Sequence, residues 1–380
     1  MGKDIPVSKD KTLFTPGPLT TSATVKQAML RDLGSRDFAF IGVIRSVRDK
    51  LLALAGVASP EYEAVLMQGS GTFSIEAVIA SFTPPDGKWL VAINGAYGKR
   101  FSAIAKTLKI DVVELEFPEH TTPNLAAIEN ALKSDAAITG VSMVHCETTS
   151  GIINPVKEVG ALAKKYCKRY FVDAMSSFGA VPLNVADCHI DFMVSSANKC
   201  IEGVPGFGFI VARREAMLAS EGWARSVVLD ILAQWKGLDA NGQFRFTPPT
   251  HAIIAFSRAL EELEIEGGVA GRAARYRENY DTLVSGMRAL GFHEFLKPEA
   301  QGYIITSFYY PEHPNFKFEE FYERLNNDGY VIYPGKVGAA DCFRIGSIGR
   351  IFPGDMRALL AAIRRYLEDA GILTEGVIRC

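Results

Sequence analysis

Between residues 60 and 215 the apolar positions of this chain follow two alternating rhythms. Short apolar runs (YEAVLMQ, KWLVAI, DVVELEF, TGVSMVH, RYFVDA, DFMVSSA and GFGFIVAR) predict strands. The segments TFSIEAVIASF, GKRFSAIAKTL, NLAAIENALKS and VKEVGALAKKY instead repeat their apolar residues at helical spacing. Strands and helices in alternation predict an α/β fold whose mostly parallel sheet is covered on both faces. In such sheets chemistry collects at the carboxyl ends of the strands.

The rhythm changes at the paired glycines of EIEGGVAG, residues 264–271. Beyond them the pattern predicts a helix from Tyr276 to Leu290, a strand in GYIITSFYY and a helix in FEEFYERLNNDG. Strands in YVIYPG and CFRIGSI follow, and then a last helix, GDMRALLAAIRRYLEDAG, with Asp355 placed to cap it. The expected organisation is a large domain over 20–265 and a smaller α+β domain over 266–380, joined by the N-terminal segment 1–19. The opening stretch LFTPGPLTT is too short to stand alone and is expected to pack against one of the two.

Composition narrows the class. A chain of 380 residues is too long for one simple core, which fits two packed units. A net charge of −2 carries no polyanion-binding signature, which argues against nucleic acid as a partner. No uninterrupted apolar segment reaches the roughly 18–20 residues that span a bilayer. The charged start, MGKDIPVSKDKTLF, does not read as a secretory signal. Six scattered cysteines without a CxxC pair argue against a zinc site or a disulfide framework and predict a reducing, cytoplasmic location. Six dispersed histidines give no metal-ligand spacing either.

Against that background three features stand out. Lys199, in VSSANKCIEG, follows an apolar run that should be buried, poor company for a surface charge unless it is paired or chemically employed. Asp173, in YFVDAMSSFG, falls at the end of a strand, where a buried carboxylate needs a partner. Taken alone it reads equally as a turn cap. GSGT (69–72) lies between a strand and a helix, where backbone N–H groups and the hydroxyls of Ser70 and Thr72 can receive an anion. Alone it is as well explained by a tight turn. Lys199 comes 26 positions after Asp173, at the end of the next strand, so neighbouring strands would bring the two into one cleft. A phosphate cradle, an acid for a protonated ring nitrogen and a nucleophilic amine are what pyridoxal 5′-phosphate requires.

The arrangement resembles the fold-type I pyridoxal-phosphate enzymes, in particular the class V aminotransferases. The motifs LFTPGPLTTSATVKQAML, VLMQGSGTFSIEAV, INGAYGKR, MVHCETTSGIINP, VDAMSSFGAVPL, SSANKCIEGVPGFGF, RFTPPTH and YVIYPGK…DCFRIGSIG follow the family order from about residue 12 to 370. The resemblance implies that Lys199 carries the cofactor as a Schiff base and that Asp173 keeps its ring nitrogen protonated. It implies stacking by Tyr97, a bond from Thr148 to the ring oxygen, and a phosphate site of Ser70, Gly71, Thr72 and Asn198. Thr247 would reach that phosphate from the neighbouring subunit of a homodimer, although a Thr before two prolines is also an ordinary loop residue. Arg344, a planar fork between apolar neighbours, suits bidentate binding of a substrate anion. The substrates implied are 2-aminoethylphosphonate and pyruvate, with the alanine–glyoxylate and serine–glyoxylate reactions as alternatives on the same apparatus and a non-catalytic cofactor-binding protein as the remote one. The segment DLGSRDFAF (32–40), with Arg36, is expected to line the substrate entrance.

Overall fold

The computed structural model describes residues 10–335 and 340–373. Among them a seven-stranded sheet runs Tyr62–Gln68, Phe207–Arg213, Phe192–Ser196, Arg169–Asp173, Gly140–Val144, Lys88–Ile93, Asp111–Glu116. Every neighbouring pair is parallel except the two made by Phe207–Arg213, which runs against both of its partners. The inner strands are buried almost without interruption because helices cover both faces, whereas the edge strand Asp111–Glu116 alternates exposed and half-buried positions. The reversed strand follows from the short Gly/Pro turn after Lys199, which leaves no room for the crossover that a parallel return needs.

Ile305–Tyr309, Cys342–Gly346 and Tyr333–Pro334 form a second, antiparallel sheet in which Arg344 lies opposite both Ser307 and Tyr333. One core cluster draws on residues from Val25 to Leu263 and another on Phe14 with residues from Leu283 to Leu367. A third, containing Leu19, Cys146, Cys200, Tyr276 and Ile304, lies where the two meet. The opening segment packs on both sides of that junction rather than on one. Thr12–Leu13 pairs with Tyr330–Val331, the Gly346 N–H donates to the Phe14 carbonyl at 2.9 Å, and Pro16 and Gly17 reach Lys199.

Two local expectations need correction. The helix expected from Tyr276 starts at Gly268 and runs to Ala289, after a break at Gly267 and Gly268 (φ +98° and +68°). Its first turns were hidden because Arg272 and Arg275 occupy buried positions, which erases the apolar periodicity there. Asp355 sits inside the last helix rather than at its cap position, and its carboxylate reaches back to accept the Phe352 N–H at 2.8 Å. Among the described residues no helix is long and apolar enough to cross a membrane. Five cysteines are free thiols, and Cys380 lies outside the described residues.

Candidate active site

Arg169–Asp173 and Phe192–Ser196 are adjacent parallel strands, so their carboxyl ends open onto the same space. Asp173 ends the first and is 4% exposed. Its Oδ1 accepts the Met175 N–H at 2.9 Å, and no donor among the described residues reaches Oδ2. Burial pushes its pKa up to about 6, against the opposing pull of the Met175 N–H and the charges of Lys199 and Arg100.

Lys199 follows the second strand in a tight turn closed by the Glu202 N–H on the Lys199 carbonyl at 2.7 Å. Its Nζ donates to the Pro16 carbonyl at 3.0 Å. Burial holds the amine's pKa below the ordinary lysine range. The opening segment makes this pocket possible only through Gly17. At φ +118° a side chain is strained there, and a Cβ would stand 2.6 Å from Lys199 Cδ and 2.7 Å from the Asn198 carbonyl. Asn198 itself is half-buried beside Lys199.

The anion cradle lies at the start of the helix Gly71–Phe82. Ser70 takes the cap position in an extended conformation (φ −83°, ψ 170°), and its hydroxyl makes no capping bond, so it and the first helical N–H groups remain available. A Cβ on Gly71 would stand 2.3 Å from Met175 Sδ, which brings the cradle against the turn that follows Asp173. Thr72 Oγ1 accepts from Arg100 Nη1 at 3.4 Å, and the Arg100 guanidinium sits 4.8 Å from the Tyr97 ring centroid. Tyr97, in the first turn of Ala96–Thr107, is half-buried; burial raises its pKa, and the nearby Thr148 side chain and Arg100 charge oppose that rise.

Arg344 enters from the second sheet. Its Nη1 donates to the Thr148 carbonyl at 2.9 Å and its Nη2 to the Pro334 carbonyl at 3.2 Å, while the buried Nε finds no partner among the described residues. The Tyr333 ring lies 4.6 Å from its guanidinium carbon. Gly335 (φ +155°) has a backbone conformation that favours glycine, and a Cβ there would stand 2.3 Å from Arg344 Nη2 and force the guanidinium to shift.

Contacts thus run from Gly71 to the turn after Asp173, from Thr72 through Arg100 to Tyr97, and from Thr148 to Arg344, while Asp173 and Lys199 follow adjacent strands. Thr247 is exposed on the loop before the helix Thr250–Ile265 and bonds nothing in the cradle of its own subunit. Arg36 is likewise exposed, and no bond among the described residues joins it to Lys199 or Arg344.

Sequence reasoning missed Pro16 and Gly17, Arg100, Tyr333 and Glu147. The last is the most informative. It is fully buried, accepts from the Thr149 N–H at 3.1 Å and the Thr149 hydroxyl at 2.6 Å, and burial pushes its pKa up to about 7. An acid inside the small, uncharged run HCETTSG was the available signal. Chemically the cleft offers a partly desolvated amine, a carboxylate with one open oxygen, a helix-terminus anion site and a guanidinium for a second anion.

The family model described as "Aminotransferase class-V" matches residues 21–338. The chain is 51% identical over 359 residues to the 2-aminoethylphosphonate–pyruvate transaminase of Salmonella typhimurium, covering 94% of this chain and 98% of that one. The solved pyridoxamine–pyruvate aminotransferase of Mesorhizobium loti superposes with a TM-score of 0.87 at 26% identity, over 96% of this chain and 94% of that one. The alanine–glyoxylate aminotransferase of Nostoc sp. superposes with a TM-score of 0.89 at 22% identity, over 97% and 98%, and so speaks for the fold alone.

Proposed function

The chain belongs to the class V aminotransferases, and from that premise we propose that it moves the amino group of 2-aminoethylphosphonate to pyruvate, giving phosphonoacetaldehyde and L-alanine. The reading is supported by identity along nearly the whole chain with transaminases of that name. The family is pyridoxal-phosphate dependent, and the residues in hand fit that group. The observation that carries the fit is Asp173, a buried carboxylate with Oδ2 open, beside a partly desolvated lysine on the next strand.

When bound, pyridoxal 5′-phosphate supplies an electron sink for the pair released as the substrate's C–H bond breaks. The phosphate is held by the first N–H groups of Gly71–Phe82, the hydroxyls of Ser70 and Thr72, and Asn198. Asp173 Oδ2 holds the proton on the ring nitrogen, an interaction that also favours its own ionised form against burial. Tyr97 would stack on the ring, and Thr148 would bond its oxygen. Lys199 is the point of attachment. When not attached, its amine, held at a low pKa by burial, would take the proton from the substrate carbon and act as the proton carrier of both half-reactions. Arg344 clamps the phosphonate in the first half-reaction and the carboxylate of pyruvate in the second, its buried Nε awaiting an acceptor.

Thr247 of the partner subunit completes the phosphate site in a homodimer. The large exposed apolar side chains of Phe38 (91%), Val228 (60%) and Phe246 (41%), the last beside Thr247, support such an interface. Five free thiols, four of them buried, support a reducing cytoplasmic location.

The test is a comparison of amino donors. Purified protein loaded with pyridoxal phosphate should form alanine from pyruvate with 2-aminoethylphosphonate, at a kcat/KM above that of any reaction with glyoxylate. Turnover of alanine or serine with glyoxylate, and none with 2-aminoethylphosphonate, would overturn the substrate assignment.

A further inference from the structure

The helix that carries Tyr97 begins without a cap of its own. Gly95 holds the cap position and has no side chain to offer the first N–H groups of Ala96–Thr107. Those groups are met from elsewhere. The Ala96 N–H donates to Thr149 Oγ1 at 3.0 Å and the Tyr97 N–H to Glu147 Oε2 at 3.3 Å, while the nearby Gly98 N–H favours the ionised Glu147 carboxylate. The Thr149 hydroxyl in turn donates to Glu147 Oε1, so one relay joins the helix start to the loop of residues 147–149. The fit is close. Gly95 is required for space rather than for its backbone angle, since a Cβ there would stand 2.3 Å from Glu147 Cδ.

Thr148, between the two capping residues, lies near the Tyr97 hydroxyl and lends its carbonyl to Arg344. Tyr97 is therefore held at its backbone N–H by Glu147, and its phenolic oxygen lies near the residue that follows Glu147. A helix needing only a cap would be served by Asn, Ser or Thr in place of Gly95. Burying a charged side chain on a separate loop to do that work is costly, and it makes sense where the helix must hold one particular pose.

We propose that Glu147 is a positioning residue. With Thr149 it supplies the missing cap and fixes the Tyr97 ring in the orientation from which it stacks on the cofactor. This rests on the reading that Tyr97 stacks on pyridoxal phosphate, and the experiment separates the two. Cofactor affinity and the visible circular dichroism of the bound cofactor are measured for the wild type, Glu147→Gln, Tyr97→Ala and the double variant. Glutamine keeps the size but turns one of two acceptors into a donor facing N–H groups. The single Glu147→Gln change should raise the cofactor Kd by at least about tenfold, the scale of a lost charge-assisted hydrogen bond. It should also weaken the visible dichroism, which a purely structural role would leave intact in the folded fraction. In the Tyr97→Ala background the same change should alter Kd by less than about twofold, because the residue through which it acts is gone.

An equal effect in both backgrounds, or none in the wild type, overturns the proposal and leaves the cofactor reading standing. A Tyr97→Ala variant with unchanged Kd and dichroism overturns the stacking reading and the proposal together. Should Glu147→Gln fail to fold, Thr149→Val removes the hydroxyl relay with less disturbance. It should show a smaller rise in Kd that again vanishes without Tyr97, and a rise that persists counts against the proposal.

Discussion

Lys199 and Glu202 are three residues apart in one turn, yet they belong to two buried charge clusters of opposite character. Glu202, 3% exposed, accepts from Arg275 Nη2 at 2.7 Å and from the Tyr276 hydroxyl at 2.6 Å. Glu266 accepts from Arg272 Nε at 2.8 Å and Arg275 Nε at 2.6 Å, and Arg272 Nη1 donates to the Cys200 carbonyl at 2.6 Å. The buried Arg272 Nη2 lacks a partner, but the cluster is otherwise closed upon itself. It also pins the loop to the far core, since Arg275 Nη1 donates to the Ile351 carbonyl and the Gly349 N–H to the Tyr276 hydroxyl. On the other side Asp173 keeps an oxygen open, Arg344 an unmatched Nε, and Ser70 an unused hydroxyl. One cluster spends its polar groups on the protein, and the other reserves them for a ligand. Glu202 sits at φ +66°, a conformation rare for its type, and the network around it is what holds it there.

Substitutions on the two sides should therefore fail in different ways. Lys199→Ala sharpens the contrast most. It should lower kcat by about 10⁴-fold, the upper range for losing a positioned proton carrier, while the melting temperature of the apoprotein holds or rises because a partly desolvated amine is removed. A large loss of stability would show that the amine is structural after all.

Glu202→Ala should do the reverse, removing a carboxylate that is ion-paired to the buried Arg272 and Arg275 and that accepts from the Tyr276 hydroxyl. The expected cost is about 3–5 kcal/mol in chemical denaturation, with turnover per folded, cofactor-loaded molecule changed far less than for Lys199→Ala. Unaltered stability would break the comparison.

The smallest effect is electrostatic. Asp173 titrates near 6 in the folded apoprotein against an ordinary value of 3.8. Between those values the folded chain keeps a proton that the unfolded chain has released, so this group makes stability fall as pH rises through the window, with a constant penalty above it. Asp173→Asn should thus gain on the wild type as pH rises from about 4 to 6, by about 2 kcal/mol or less, and level off beyond. A difference that stays flat across denaturation curves taken at these pH values would remove Asp173 from the open cluster.

How much of this the sequence revealed follows from the range of the interactions. The open cluster was largely legible because its members sit at strand ends within local motifs: GSGT before a helix, Asp173 ending RYFVD, and Lys199 after FMVSSAN. The closed cluster was not legible. Nothing in the local pattern marks Arg272 and Arg275 as interior; only contacts to Cys200, Glu202, Glu266 and Ile351 make them so. The partners of Glu147 and Gly17 were hidden for the same reason. They lie 50 and 182 residues away, at Tyr97 and Lys199.

The sequence by itself determined the alternation of strands and helices, the parallel sheet that follows from it, and the residue types gathered at its carboxyl edge. Those depend on periodicity and local motif chemistry, which one stretch of chain carries alone. The tertiary structure decided which polar groups are satisfied and which are left open. It placed the opening segment over Lys199, had Glu147 cap the helix of Tyr97, and brought Arg344 from the second sheet onto the Thr148 carbonyl. Whether a buried donor has an acceptor depends on neighbours remote in sequence, and only the folded chain brings them within hydrogen-bonding distance.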